Sequence, residues 1–395
     1  LPVTSESGVA RFLNDRVSKI PASGIRRFFD MISGVEGVIS LGVGEPDFVT
    51  PEPLREAAIA SIRAGRTAYT SNYGLIELRE SLAEHIQRLY DISYDPHTEI
   101  LITVGVSEAL DVACRAVLGP GDEIIVPDPS YVAYVPAAVL ADAVPVLVPT
   151  SVDTQFAPTA EEIERHITPR TKALLLGYPN NPTGAVLPRA ELERIAAVAQ
   201  RHDLLVIADE IYDRLTYGVA HTSFASLPGM QERTVLLGGF SKDYAMTGWR
   251  VGYACAPAEL LEAMMKVHQY VIMCAPTAAQ FAALEALRAG EPYVQAMLAE
   301  YDRRRRFIVD GLNAIGLPTF EPLGAFYAFP DIRPTGLSSE AFVEALLTEE
   351  KVVTVPGDAF GPSGAGYVRL CYANSMENLE AALERIGRFV RKRTG

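Results

Sequence analysis

Residues 172–212 read KALLLGYPNNPTGAVLPRAELERIAAVAQRHDLLVIADEIY, and the alternation inside this stretch decides the fold class. Lys172–Leu176 is a short apolar run, Arg189–Arg201 is amphipathic, and Leu204–Ala208 is a second apolar run. The order is strand, helix, strand, a unit that lays parallel strands side by side with a helix across one face. The same pattern continues outward on both sides. Ile100–Val104, Glu123–Val126 and Val144–Val148 precede the stretch, Thr234–Leu237 and Val251–Cys255 follow it, and Ser107–Leu118 is a further amphipathic segment. The expectation is an α/β fold: a mainly parallel seven-stranded sheet covered by helices, with functional residues at the carboxyl ends of its strands. After about residue 258 the pattern turns helical, through Leu260–His268, Pro292–Asn313 and Met376–Lys392, with short strands between.

Charge and composition exclude several functions. There are 49 acidic and 35 basic residues and a formal net charge of -14, which argues against a nucleic-acid partner, because phosphate binding needs clustered cations. The run Arg303–Arg306 reads as a solvated helix face. Four scattered cysteines without CxxC fit a reducing compartment, the cytoplasm, and six histidines without HExxH spacing give no metal site. No apolar run approaches the roughly 20 residues that span a bilayer, so no membrane contact is expected. Leu1–Ala10 lacks the apolar core of a secretion signal. No dinucleotide fingerprint, GxxxxGK[ST] loop or GxSxG elbow occurs.

What the sequence does carry is an ordered series: GEPDF at 44–48, TVGVSEAL at 103–110, PDPSY at 127–131, NNPTG at 180–184, ADEIY at 208–212, SKDYAMTGWR at 241–250 and YVRLCYA at 367–373. Lys242 follows a strand end by a few residues, where burial beside cations would favour the neutral amine that imine formation needs; alone it is also a plausible surface lysine. Arg250, just before an apolar run, suits a two-pronged contact with phosphate. Asp209 ends a strand, where it either caps a helix or holds a ring nitrogen protonated. If 209–212 is helical, Tyr212 falls on the same side. NPTG is a turn whose Asn181–Pro182 bond is cis or trans. Gly105, Val106 and Ser107 open a helix, either as a phosphate site or as a plain strand-to-helix turn. Arg369 offers a guanidinium fork suited to an α-carboxylate.

Taken together, the seven segments resemble the class I and II aminotransferases, of fold type I among pyridoxal-phosphate enzymes, over nearly the whole chain from about Gly24. The resemblance implies an N-terminal arm at 1–44 that forms part of the small domain, a large cofactor-binding domain at 45–285 and a smaller α+β domain at 286–395. It implies pyridoxal 5'-phosphate as cofactor, with Lys242 as Schiff-base lysine and proton-transfer base. It implies Asp209 at the pyridine nitrogen, and Tyr212 and Asn181 at the phenolic oxygen. Tyr131 would stack on the ring, while Arg250, Gly105, Val106 and Ser107 would hold the phosphate. Asn181, Arg369 and Gly44 would bind substrate. Tyr69, in AYTSNYG, matches a tyrosine that reaches the neighbouring subunit's phosphate, which implies a homodimer.

One position departs from the family pattern. Gly239 stands where many relatives place a phosphate-binding serine, and Ser241 or a water would substitute. The implied reaction moves an amino group between an L-amino acid and a 2-oxo acid by a ping-pong course. A β carbon–sulfur lyase on the same scaffold would use the same residues, and a non-catalytic regulatory protein binding the cofactor is the reading from another class. Side-chain preference stays open: Arg26 or Arg27 would receive a distal carboxylate, whereas Ile25 would make an apolar lid.

Overall fold

The computed structural model describes residues 10–20 and 37–394. Its centre is a seven-stranded sheet of β2 (Ile100–Thr103), β3 (Glu123–Asp128), β4 (Val144–Pro149), β5 (Thr171–Gly177), β6 (Leu205–Asp209), β7 (Thr234–Gly239) and β8 (Gly252–Cys255), following β1 (Ile39–Ser40), which lies elsewhere. The strands run in the order β2-β8-β7-β6-β5-β3-β4. All pairs are parallel except those of β8, which is antiparallel to both its neighbours. Every run read as a strand from the sequence is one of these seven. The reason is burial: the central residues of β2, β3, β5, β6, β7 and β8 are covered on both faces, so selection for apolar, β-branched side chains acts on consecutive positions.

Helices cover both faces. Gly105–Val117 buries Ala109, Leu110, Val112, Ala113, Cys114 and Val117 on one side, and Arg189–Arg201 buries Leu192, Ile195 and Val198 on the other. Each fully buried aliphatic side chain contributes about 1.5–3 kcal/mol, so the helix faces fix the layers firmly. An Ala-rich helix over Thr277–Ala289, absent from the sequence reading, packs on the helix Glu52–Arg63. Its low contrast between apolar and polar faces hides it in a periodicity scan.

A second core gathers around the long helix Glu291–Ala314 and the helices Ser339–Glu350 and Met376–Thr394. It holds a three-stranded sheet in the order β11-β12-β9, from β9 (Tyr327–Ala328), β11 (Val355–Pro356) and β12 (Val368–Cys371). Here β1 pairs in parallel with β10 (Val352–Val353), so the segment 39–44 is anchored by residues far along the chain.

The basic run in the long helix differs from the sequence expectation. Arg303 and Arg306 are exposed, but Arg304 and Arg305 are buried. Arg304 pairs with Asp47 at 2.7 Å and Glu300 at 2.8 Å, and Arg305 with Asp302 and Glu321, each at 2.7 Å. The long stems pack under the helix while each charge meets carboxylates, which is how buried arginines are tolerated.

Candidate active site

The sheet brings distant motifs to one edge. The parallel strands β3, β5, β6 and β7 all end there, at Asp128, Gly177, Asp209 and Gly239. Because β8 runs the other way, its first residue lies at the same edge: Gly252 is opposite both Thr103 and Gly239. Arg250, two residues earlier, is thereby carried to the start of the helix Gly105–Val117. A cavity of about 360 Å³ opens at this edge, lined by residues that include Lys242, Asp209, Arg250, Asn181, Tyr131 and Arg369.

At its floor Asp209 is 4% exposed. It accepts hydrogen bonds from the Tyr134 hydroxyl at 2.9 Å and the Ile211 N–H at 3.2 Å. Burial pushes its carboxyl up to about 6 despite both bonds, which pull the other way. No helix starts after it: residues 211–214 form turns, so the helix-cap reading of Asp209 fails. Tyr212 reaches the cavity from this turn, and its hydroxyl lies 2.7 Å from that of Tyr327.

The Lys242 Nζ donates to the Gly44 carbonyl at 2.6 Å and lies 5.6 Å from the Phe326 ring centroid. Burial lowers its ammonium to about 8; Cys371 opposes that shift and Arg369 and Arg250 add to it. Within reach of neutral pH, this amine has a sizeable unprotonated fraction, as nucleophilic attack on a carbonyl requires.

Beside Arg250, Gly105 has φ +72°, a left-handed conformation that suits glycine, and a Cβ there would lie 2.7 Å from Arg250 Nη2. Backbone and guanidinium are thus packed against each other at a helix N-terminus, beside Val106 and Ser107, a donor set suited to an anion. Tyr131 lines the cavity and meets Tyr134 edge-on at 5.6 Å between ring centroids. Ser241 also lines it. At Gly239 a Cβ would meet Ile211 Cδ1 at 3.1 Å and Val106 Cγ2 at 3.2 Å, so glycine here is closely packed and leaves no gap where a serine would stand.

Arg369, in β12 and 2% exposed, donates to Asn181 Oδ1 at 2.9 Å and to the Gly42 carbonyl. Its guanidinium lies 4.6 Å from the Tyr327 ring centroid, and its Nε is buried without a partner. Among the described residues the cis peptide bonds are Asp128–Pro129 and Tyr178–Pro179, so Asn181–Pro182 is trans. Tyr69 stays out of the cavity: it is 79% exposed. Ile25, Arg26 and Arg27 lie outside the described residues.

Two tyrosines were missed from the sequence. Tyr134 stands three residues after Tyr131 and binds the carboxylate of Asp209; the spacing was the available signal. Tyr327 comes from the second core and carried none, since its place depends on β9 pairing with β12.

The residues fit pyridoxal phosphate. One cavity is lined by a cation packed against a helix N-terminus, a buried carboxylate and an amine of lowered basicity. The family model described as aminotransferase class I and II matches residues 36–386. A putative aminotransferase of Bacillus subtilis, YugH, is 53% identical over 97% of this chain and 99% of its own length. Aromatic-amino-acid aminotransferase 2 of Thermococcus litoralis is 45% identical, covering 96% of this chain and 99% of its own. Among solved structures, the aspartate aminotransferase of Thermus thermophilus with maleate superposes with a TM-score of 0.91 at 41% identity, over 95% of this chain and 99% of that one.

Proposed function

The chain belongs to the class I and II aminotransferase family and is a pyridoxal-phosphate-dependent aminotransferase acting on amino and 2-oxo acids, and on that premise we propose the following roles for its residues. Lys242 is the amine that holds the cofactor covalently and, when a substrate amine takes its place, the base that removes the substrate Cα proton. The observation that carries this is the lowered basicity of a buried amine that lines one cavity with Asp209, Arg250 and the first turn of the helix Gly105–Val117. When bound, pyridoxal phosphate supplies an electron sink for the charge left at Cα. Asp209 keeps a proton on the pyridine nitrogen, and Tyr134 steadies that carboxylate. Arg250 grips the phosphate together with the N–H groups of Gly105, Val106 and Ser107, with Ser241 in support. Tyr131 covers one face of the ring, and Tyr212 and Asn181 donate to the phenolic oxygen. Arg369 takes the substrate α-carboxylate in its fork, helped by Asn181 and by the backbone at Gly44.

The side-chain class we propose is apolar or aromatic. The cations lining the cavity among the described residues are Lys242, Arg250 and Arg369, each with a role above, while Glu45 contributes a carboxylate that would repel a second one on the substrate. Val43, Pro179 and Tyr327 provide apolar wall. We further read the chain as a dimer in the cytoplasm, divided at about residues 44 and 285. Exposed Tyr69, Tyr270, Val271 and Met273 support the dimer as an apolar surface, and four free cysteines support a reducing compartment. No helix among the described residues is long and apolar enough to cross a membrane.

The test follows the bound cofactor's visible absorption as single L-amino acids are added without a 2-oxo acid. A change selective for aromatic or aliphatic amino acids supports the proposal, and a response confined to aspartate and glutamate overturns the side-chain class. Pyruvate and ammonia accumulating without an acceptor would move the activity to a lyase. Lys242→Ala should abolish turnover, and retained steady-state transamination would refute the role given to it.

A further inference from the structure

Outside the cavity lining, next in sequence to two of its residues, lies a polar cluster that the roles above leave unused. Asp243 follows Lys242 in the chain, and Asp213 follows Tyr212. Asp243 is 4% exposed, and its carboxyl lies within hydrogen-bonding reach of the Asp213 carboxyl. Asp213 is held on other sides, accepting from the Tyr90 hydroxyl and from the Arg214 N–H at 2.9 Å. Oδ1 of Asp243 is buried with no partner.

The charges facing this pair come from each packed element. The turn after β6 supplies Arg214, whose Nη2 donates to Glu291 Oε1 at 2.6 Å. Glu291 begins the long helix Glu291–Ala314. The helix Ile76–Tyr90 supplies Tyr90 and His85, and burial pushes His85 down to about 4, so it is neutral near pH 7 and accepts from Arg88 at 2.8 Å. Tyr253 on β8 and Tyr244 carry no charge near neutral pH, while His221, edge-on to Tyr90 and 2.8 Å from Glu210, is held above its ordinary value against burial by Glu210 and Asp213. Four carboxyl groups, those of Asp213, Asp243, Glu291 and Glu210, therefore face two cationic side chains, and each of these is already bonded elsewhere, Arg214 to Glu291 and His221 to Glu210. Two carboxylates cannot touch in such a setting with both ionised; contact requires a shared proton.

We propose that Asp243 is a positioning residue for the aminotransferase reaction: as a neutral carboxylic acid it donates a hydrogen bond to the Asp213 carboxylate, clamping the segment that carries Lys242 to the turn that carries Tyr212. Burial favours the same protonation, raising the Asp243 carboxyl well above the usual range, with the nearby Asp213 charge adding to it. The clamp sets how the reactive amine and the phenol face each other across the cavity. This inference rests on the assignment of Lys242 as the reactive amine, but two of its readouts involve no substrate, so failure of the clamp and failure of that assignment are distinguishable.

The test compares the wild-type holoenzyme with Asp243→Asn and Asp243→Ala. Difference infrared spectra at pH 8 should show the carbonyl band of a neutral carboxylic acid in the wild type and none at that position in Asp243→Asn. Unfolding temperatures from pH 5 to pH 8 give the second readout. Above the ordinary carboxylate range the unfolded chain has lost the Asp243 proton while the folded chain keeps it, so stability falls with rising pH. Asparagine donates the same hydrogen bond with no proton to lose, so the variant's curve should fall less steeply. In turnover, Asp243→Ala should lose roughly tenfold in kcat while Asp243→Asn restores most of it. A carboxylic band that persists in Asp243→Asn, parallel stability curves for it and the wild type, or wild-type kcat in Asp243→Ala would each overturn the proposal.

Discussion

Replacing Tyr134 by Phe tests the floor of the cavity directly. The change removes one hydroxyl, keeps the ring, and leaves Asp209 with only the Ile211 N–H. A hydrogen bond to a buried charged group is worth about 1.5–3 kcal/mol, and one pKa unit is about 1.4 kcal/mol, so the Asp209 carboxyl should rise by about one to two units. Starting from about 6, it moves across neutral pH. Holding a protonated pyridine nitrogen requires Asp209 ionised, so the apo variant must first give up a proton when the cofactor binds near pH 7. A carboxyl raised by two units would weaken pyridoxal-phosphate affinity by about tenfold at pH 7, and the loss would vanish by about pH 9, where both proteins are ionised. Equilibrium dialysis of apoprotein against the cofactor at three pH values measures this. An affinity loss that is the same at pH 7 and pH 9, or no loss at all, would refute the reasoning.

Two further outcomes follow from the same geometry. Arg369→Lys keeps a charge but loses the fork that holds an α-carboxylate at two points, so KM for every amino acid that turns over should rise by at least about tenfold, with the rank order of substrates unchanged; steady-state kinetics on a panel reads this. In the apoprotein, burial lowers the Lys242 ammonium to about 8, so between pH 8 and the ordinary lysine range the unfolded chain binds the extra proton. Stability of the apoprotein should therefore rise across that window, by up to about 1.4 kcal/mol per pH unit, and Lys242→Met should remove the rise in denaturant titrations.

The seven strands were legible because burial on both faces forces runs of apolar residues, a signal that needs no tertiary knowledge. The motif order placed Lys242, Asp209, Arg250 and Arg369, and the structure brings these side chains to one cavity. What stayed hidden depends on partners far along the chain. Arg304 looks like any arginine in a basic run until Asp47 arrives from 257 residues away. Tyr327 is one of 17 tyrosines, and only the pairing of β9 with β12 aims it at Tyr212. Asp243 sits inside a motif whose neighbouring lysine draws the attention, and its contact with Asp213 arises only when β6 and β7 lie side by side. Tyr69 was placed by likeness, and in its own chain it is 79% exposed and outside the cavity lining.

The pairing of β1 with β10 bears on the order in which this protein is made. As the chain leaves the ribosome, all seven strands of the large sheet have emerged by Cys255, and with them Lys242, Asp209 and Arg250. The wall that carries Gly42 and Gly44 has been synthesised long before, yet it has nothing to lean on. Ile39 awaits Val352, and Gly42 awaits Arg369, 327 residues downstream. At that stage one side of the cavity is missing, and the stretch from Val352 to Arg369 supplies what closes it. Contacts of such separation are slow to form, so closure should lag behind the sheet in refolding, and a chain truncated before β12 should retain the sheet while lacking a closed pocket.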